Sequence, residues 1–281
     1  MKTFNNFIMT EKEAEDLCRM IRLGVDLSKR CQPKTKEELK DLIEKLIEER
    51  GNEADLNDID VSQIKDMSYL FFYSEFNGDI SKWNVSWVEN MVGMFADSKF
   101  NGDISNWDVS RVVDMSGMFQ YSQFNGNVSN WDVSGVKKMN GMFAGSQFDS
   151  NISNWNVSGV MNMGRMFWDS KFDSDISNWD VSKVKDMGGM FEYSKFNGDI
   201  SNWDVSNVEN MYGMFASSQF NGDISNWNVS KVKKMRYMFS NSKFNGDISK
   251  WDVSNVEDMR HMFSYSLFNN DSISNWTKKP E

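Results

Sequence analysis

The chain repeats one motif at a fixed interval, and this period constrains the fold more than any other feature of the sequence. Phenylalanines recur every 24 residues without insertion or deletion, at Phe76, Phe100, Phe124, Phe148, Phe172, Phe196, Phe220, Phe244 and Phe268. Tryptophans keep the same step and only the last is one residue late: Trp83, Trp107, Trp131, Trp155, Trp179, Trp203, Trp227, Trp251 and Trp276. A fixed period of about 20 to 50 residues is typical of solenoids, in which each unit contacts its neighbours. The sequence therefore predicts one elongated repeat solenoid.

One repeat, residues 100–123, indicates where the chain turns. Its apolar residues are Phe100, Ile104, Trp107, Val109, Val112, Met115, Met118 and Phe119. The Trp-x-Val step has a period of two and predicts a short strand, whereas the following steps of three predict a helical or 3-10 turn. Asn101 and Gly102 form a typical turn dipeptide, because glycine tolerates a positive φ. We expect short parallel strands on one face of the solenoid and short helical turns on the other.

The residues before the repeats have a different pattern and predict helices. Thr35 and Glu38 have the spacing of a capping box, and Gly51 is a typical helix stop. Between them the apolar residues recur at helical spacing: Leu39, Leu42, Ile43, Leu46 and Ile47. We expect this apolar stripe to cover the end of the first repeat, with docking onto another protein as the alternative. An earlier helix is expected at about residues 11–23.

These patterns divide the chain into three segments. Residues 1–53 are expected to be a helical N-terminal cap, 54–276 a solenoid of about nine repeats, and 277–281 a C-terminal tail. The solenoid opens with a half-formed copy whose apolar slots are Leu56, Ile59, Val61, Ile64, Met67, Leu70 and Phe71.

Composition and charge exclude several function classes. With 40% hydrophobic and 14% aromatic residues the chain is too apolar to stay unfolded. Its net charge of -10, with no run of Lys or Arg, argues against nucleic acid and anionic membranes as partners. No apolar stretch approaches the roughly 20 residues of a membrane span, so we expect no membrane insertion. Cys18 and Cys31 are the only cysteines; free thiols are expected, with a local disulfide as the alternative.

The repeated sequence motif resembles that of a known family. The spacing Ile-x-x-Trp-x-Val matches the leucine-rich repeat core, with tryptophan in the middle slot. Over residues 54–276 the motif W-D-V-S-x-V-x-x-M-x-x-M-F-x-x-S-x-F-N-G-D-I-S-N resembles the BspA-like leucine-rich repeat surface-protein family. The resemblance implies a leucine-rich-repeat-like solenoid with a binding or adhesion role at a cell surface.

The location of the protein is left open by the N-terminal sequence. The first residues have neither an apolar core of about seven residues nor a small-residue cleavage site, which predicts no signal peptide. A lipobox cysteine and a wall-anchoring tail are also missing from the sequence. Either the protein is intracellular, or its export signal lies outside this sequence.

Two columns of Asp and Asn recur at the repeat spacing. The first is Asp60, Asn84, Asp108, Asp132, Asn156, Asp180, Asp204, Asn228 and Asp252; the second is Asp55, Asp79, Asp103, Asn127, Asn151, Asp175, Asp199, Asp223 and Asp247. Hard oxygen ligands stacked in this way suit Ca²⁺, with Asp103, Asp108, Asp199 and Asp204 as candidate ligands. The interpretation that we favour is that these side chains cap turns and hydrogen-bond neighbouring backbone amides. No other cofactor is indicated.

Aromatic residues at variable outward positions are the candidate partner-binding residues. They are Trp87, Trp168, Tyr73, Tyr121, Tyr193, Tyr212, Tyr237 and Tyr265. Trp and Tyr dominate binding hot spots, although the same residues would also fill gaps between helical turns. We expect a protein or glycan as the ligand, and a monomeric chain.

Catalysis has little support in the sequence. His261 is the only histidine, it occupies a slot that is glycine in five other copies, and no nucleophile is paired with a base by a known motif. The sequence therefore predicts a non-catalytic binding or adhesion module. The alternative is an intracellular or phage-associated interaction scaffold, with Ca²⁺ bound along the Asp and Asn columns.

Overall fold

The structure is a computed structural model that describes residues 32–269 and 271–280. The predicted earlier helix and both cysteines lie outside these residues. Within them the chain winds as a solenoid of 24-residue circuits. Isolated parallel bridges join equivalent residues, one between Asp55 and Asp79 and a series that runs from Asp66 and Asn90 to Lys234 and Asp258. The predicted repeat solenoid is confirmed. No helix among the described residues has the length and apolar character needed to cross a membrane.

Helix α1, Lys36–Arg50, precedes the circuits. Thr35 caps its first turn, because the Thr35 Oγ1 accepts a 3.2 Å hydrogen bond from the Glu38 amide. Gly51 ends the helix with a φ of 87°, and its amide donates to the Ile47 carbonyl at 2.8 Å. The side chains of the helix that are buried in the core shared with the circuits are Leu39, Ile43 and Leu46. The predicted helix, its cap and its apolar stripe are confirmed.

Successive circuits are joined by a ladder of backbone hydrogen bonds. In one typical pair, amides donate to carbonyls of the next circuit at 2.7 to 3.0 Å: Met91 to Asp114, Gly93 to Ser116, Phe95 to Met118 and Asp97 to Gln120. This ladder lies in the Met-x-x-Met-Phe segment, for which the sequence pattern predicted helical turns. It does not become a continuous strand, because turn hydrogen bonds such as Met94 N to Met91 O interrupt it within each circuit.

The segment predicted as a strand is also different in the structure. The Trp-x-Val residues form no bridge in any described circuit, and the chain there closes into two turns. The amide of Trp107 donates to Ile104 O at 3.1 Å, and that of Val112 donates to Val109 O at 2.9 Å. Alternating inward side chains are therefore produced by consecutive turns rather than by extended backbone. The predicted strands and helical turns are not confirmed, and among the described residues the only helix besides α1 is the 3-10 helix Asp271–Ile273.

The core consists of stacked aromatic rings and methionines. Trp83 and Trp107 are parallel within 2° at a centroid distance of 6.5 Å, and Phe95 and Phe119 stack at 5.6 Å. The seven apolar slots of the half-formed first copy are buried in the same core. Stacked aromatic pairs contribute about 0.5–1.5 kcal/mol each beyond the burial of their area, so every added circuit stabilises its neighbour.

Two polar ladders also join each circuit to the one before it. The Trp107 indole Nε1–H donates to the Ile80 carbonyl at 3.2 Å, which satisfies a buried donor. The Asn101 amide donates to the Asn77 side-chain Oδ1 at 2.8 Å. Each bond recurs along the stack. Register between circuits therefore depends on side chains as well as on the backbone ladder.

Candidate binding groove

Two residues in every circuit have a positive φ, and they shape the surface of the backbone ladder, called here the ladder face. The first left-handed column is Tyr69, Gly93, Gly117, Gly141, Arg165, Gly189, Gly213, Tyr237 and His261, with φ between 56° and 64°. A non-glycine residue in this conformation is strained by about 1–2 kcal/mol. Four members are nevertheless large polar or aromatic residues, although glycine occupies the other five positions without strain.

A groove of about 810 Å³ runs along the ladder face from Tyr69 to Lys234. Its floor is low because glycine occupies the first left-handed column at Gly93, Gly117 and Gly141. A Cβ added at Gly141 would meet no atom within 4 Å, so the groove is open above this residue.

Aromatic side chains and one arginine form the centre of the groove. Tyr121 and Tyr193 each meet Trp168 edge-to-face, with ring centroids 6.1 and 6.0 Å apart. Arg165 lies beside them on the first left-handed column, and its guanidinium makes no hydrogen bond or ion pair with any residue in the described part of the chain. Burial raises the pKa of Glu192, and the positive charge of Arg165 partly opposes this rise. The centre thus combines ring surfaces with an arginine fork that has hydrogen-bonding capacity left.

Polar side chains line the floor next to this centre. Asn140 accepts from Ser116 Oγ at 2.8 Å, Asn162 accepts from the Gly164 amide at 2.9 Å, and Asp186 accepts from Asn210 Nδ2 at 2.9 Å. Each bond uses an Oδ1 atom. The Nδ2 atoms of Asn140 and Asn162 and the Oδ2 atom of Asp186 have no hydrogen-bond partner among the residues described. The floor therefore offers both donors and an acceptor.

The groove is followed by a second aromatic cluster. Tyr237 stacks on His261 at a centroid distance of 5.3 Å and meets Tyr212 edge-to-face at 5.8 Å. The guanidinium of Arg236 lies 4.7 Å from the ring of Tyr237. A smaller cavity of about 390 Å³ lies beside this cluster and is lined by Tyr237, Ser240, His261, Ser264 and Tyr265.

Comparison with known proteins identifies the repeats. The family model described as "Mycoplasma protein of unknown function, DUF285" matches residues 39–147, 98–197, 120–219 and 193–280. The chain belongs to this family. The overlapping matches reflect the tandem repeats of a DUF285 protein. Searches of curated proteins and of solved structures each gave no match.

The DUF285 fold brings most of the predicted aromatic residues to the ladder face. Tyr121, Trp168 and Tyr212 line the groove, Tyr237 and Tyr265 line the second cavity, and Tyr193 contacts Trp168. Tyr73 meets Phe72, a groove residue, at 4.7 Å between ring centroids. Trp87 is not among the groove residues, and the Arg111 guanidinium lies 3.8 Å from its ring. The structure thus groups seven of the eight predicted residues and separates one, and their role in binding stays a prediction.

Sequence reasoning missed the polar residues of the groove. Arg165, Asn140, Asn162 and Asp186 were not singled out, because the groove lies on a segment for which a helical pattern was assumed. The available signal was replacement within a column: Arg165 occupies a slot that is glycine in five copies of this DUF285 chain, as His261 does.

The candidate calcium ligands cap turns within their own circuits. Each Oδ1 accepts from the serine amide two residues later: Ser105 to Asp103, Ser110 to Asp108, Ser201 to Asp199 and Ser206 to Asp204, at 2.9 to 3.1 Å. These backbone bonds lower the pKa of Asp103 and Asp199. Within the described residues, no three His, Cys, Asp or Glu side chains come together as metal ligands. The geometry favours the turn-capping interpretation, and calcium binding stays untested.

Proposed function

We propose that this DUF285 protein is a non-catalytic binding module that engages a protein or glycan partner in the groove of its ladder face. The observation that carries the proposal is the groove itself, which runs over many circuits and is lined by side chains that differ between them. Solenoids commonly bind partners on such extended surfaces.

Side chains that line the groove vary between repeats. One groove column reads Val92, Ser116, Asn140, Gly164, Gly188 and Tyr212. The core slot that immediately precedes it is methionine in each of those circuits. A fixed core with a varied surface column is the arrangement expected of a scaffold that presents specific contacts, because substitutions on the surface leave the stacking unchanged.

Two features support a binding role rather than catalysis or a purely structural role. Four residues of the first left-handed column retain strained, large side chains where glycine would relieve the strain. The resemblance to the BspA-like surface family supports adhesion. An interaction scaffold inside the cell is the second candidate, since it would use the same groove, and locating the protein in fractionated host cells separates the two.

A groove-filling substitution tests the proposal. Gly141→Tyr places a ring above an open floor, in a left-handed conformation that Tyr69 and Tyr237 adopt in the same column. Lys171→Tyr is the matched control, because Lys171 is exposed and lies outside the groove lining. Binding to an array of defined oligosaccharides and to a displayed random-peptide library is measured for the wild type and both variants. We expect ligands whose binding is lost in Gly141→Tyr and kept in Lys171→Tyr; ligands that bind both variants equally would contradict the proposal.

A further inference from the structure

We propose that the centre of the groove, around Trp168 and Arg165, binds an uncharged oligosaccharide. This inference rests on the proposed function and narrows its ligand to one chemical class. The groove lacks the unpaired backbone groups and the continuous apolar floor that a peptide would need. It has aromatic rings and polar side chains that suit a sugar chain.

A peptide cannot extend the backbone ladder within the groove. Strand addition needs a row of unpaired backbone groups. Here the amides already donate to the next circuit: Gly117 to Asn140 at 2.8 Å, Phe119 to Met142 at 2.9 Å and Tyr121 to Ala144 at 2.7 Å. The main chain of a bound peptide would therefore find few backbone partners at the groove centre.

A helical peptide is also a poor match for the floor. An amphipathic helix needs a continuous apolar groove for its anchors. Between Gly117 and Gly188 the floor instead carries Asn140, Asn162 and Asp186, whose amide and carboxylate groups keep hydrogen-bonding capacity. Burying these groups under apolar anchors would remove water from them without providing partners, which is unfavourable.

A sugar chain satisfies the same groups. Its hydroxyls both donate and accept, so they match the free Nδ2 atoms of Asn140 and Asn162, the free Oδ2 of Asp186 and the donors of Arg165. The aliphatic face of a pyranose ring packs on exposed aromatic surface, here that of Tyr121 and the partly exposed Trp168. Ring contacts and polar groups lie within one stretch of the groove.

Charge in the groove favours an uncharged ligand. The acidic and basic side chains that line it are two of each kind: Asp97, Asp186, Arg165 and Lys234. A polyanionic ligand would meet both carboxylates and a chain with a net charge of -10. Arg165 is then a hydrogen-bonding fork for hydroxyls, and this use gives a reason for its strained position.

Binding is tested with defined sugars and matched tryptophan variants. The probes are the linear hexasaccharides of glucose, N-acetylglucosamine, mannose and galactose, titrated by calorimetry and followed by saturation-transfer NMR. We expect at least one to bind, with a loss of roughly tenfold or more in Trp168→Ala and in Arg165→Gly. The fold should tolerate Trp168→Ala, because alanine occupies the same slot at Ala96, Ala144 and Ala216. Trp87→Ala is the control, since Trp87 is exposed outside the groove, and its affinity should equal that of the wild type.

Three outcomes would overturn the inference, and they differ in what they say of the proposed function. If no hexasaccharide binds but a library peptide does, and Gly141→Tyr abolishes that binding, the sugar inference is wrong and the groove remains a binding site. If sugar binding falls equally in Trp87→Ala and Trp168→Ala, the site does not lie in the groove. If Gly141→Tyr blocks the binding of no sugar and of no peptide, the proposed function fails as well.

Discussion

The indole Nε1–H of Trp131 donates a 3.1 Å hydrogen bond to the carbonyl of Ile104, which lies one circuit earlier in the solenoid. The same bond joins Trp155 to Val128 at 3.0 Å, so it recurs where the acceptor residue changes from isoleucine to valine. A buried carbonyl that accepts from an indole ties the register of one circuit to the next. The bond is an interaction that a hydrocarbon side chain in this slot cannot make.

Replacing one of these tryptophans should destabilise the stack. In Trp131→Phe the Ile104 carbonyl loses its indole donor and a small cavity opens, so we expect a loss of about 2–4 kcal/mol in the free energy of unfolding. Trp276→Phe is the matched control: Trp276 is buried, but its Nε1 has no hydrogen-bond partner in the described chain. Urea denaturation measures both. Equal losses in the two variants would show that the hydrogen bond contributes little.

The asparagine ladder should contribute less, because it is exposed. The Asn197 Oδ1 accepts from the Asn221 amide at 2.8 Å, and Asn197→Ala removes this acceptor. We expect a loss of about 0.5–1.5 kcal/mol in the free energy of unfolding. Asn197→Asp should be close to neutral, since Asp149 already plays the same part by accepting from the Asp173 amide at 2.9 Å. The prediction fails if the aspartate variant is as unstable as the alanine variant in a urea titration.

Removing the strained arginine should stabilise the protein while weakening its binding. Arg165 has a φ of 56° in a column where glycine is unstrained, so Arg165→Gly should relieve about 1–2 kcal/mol and lose about 0.5–1 kcal/mol to chain entropy. We expect a net gain of up to about 1.5 kcal/mol in the free energy of unfolding, measured by thermal or urea unfolding, together with the loss of sugar affinity described above. A lower unfolding midpoint in Arg165→Gly would mean that the arginine supports the fold instead.

Acid should weaken the turns that aspartates cap. Hydrogen bonds from Ser134 lower the pKa of Asp132 from 3.8, and Ser182 and Ser254 lower those of Asp180 and Asp252. Because the pKa of each of these aspartates is lower in the folded state, the stabilisation by the ionised carboxylate is complete above the unfolded-state pKa near 3.9. This stabilisation is lost as the pH falls through the folded-state pKa. The unfolding midpoint should therefore be steady between about pH 7 and pH 5 and fall below about pH 4.

A matched variant separates this effect from general acid unfolding. Asp132→Asn combined with Asp180→Asn and Asp252→Asn keeps the acceptors, as Asn84 does by accepting from the Ser86 amide at 3.2 Å. We expect the triple variant to resemble the wild type near pH 7 and to lose less stability near pH 3. An identical pH profile would indicate that these caps do not control the acid response.

Calcium should leave the stability unchanged. The Oδ1 atoms of Asp103 and Asp199 already accept from backbone amides, and no cluster of three candidate ligands forms in the described residues. We therefore expect superimposable melting curves with a few millimolar calcium and with a chelator. A large calcium-dependent rise in melting temperature would instead support metal binding along the Asp and Asn columns.

Part of the candidate site could be predicted from sequence and part could not. Tyr121 and Trp168 stood out because aromatic residues at variable positions are easy to recognise in a repeat alignment within one chain. Trp87 is also an aromatic residue at a variable position, but it lies outside the groove, because the twist of consecutive turns decides which positions share a face. Asn140 and Asp186 resembled other polar surface residues until the ladder placed them on one floor.

The sequence by itself determined the period, the identity of the buried slots, the α1 helix and the solenoid architecture. All of these follow from the spacing of residues. A 24-residue repeat stacks equivalent side chains of successive circuits on one another, and an apolar stripe on a helix must be buried. Only the tertiary structure decided where the backbone pairs and which residues share the groove. The physical reason is that each circuit is built from turns with two left-handed residues, such as Gly117 and Tyr121. Their φ angles, rather than any periodicity of two or 3.6, set the direction in which each side chain projects.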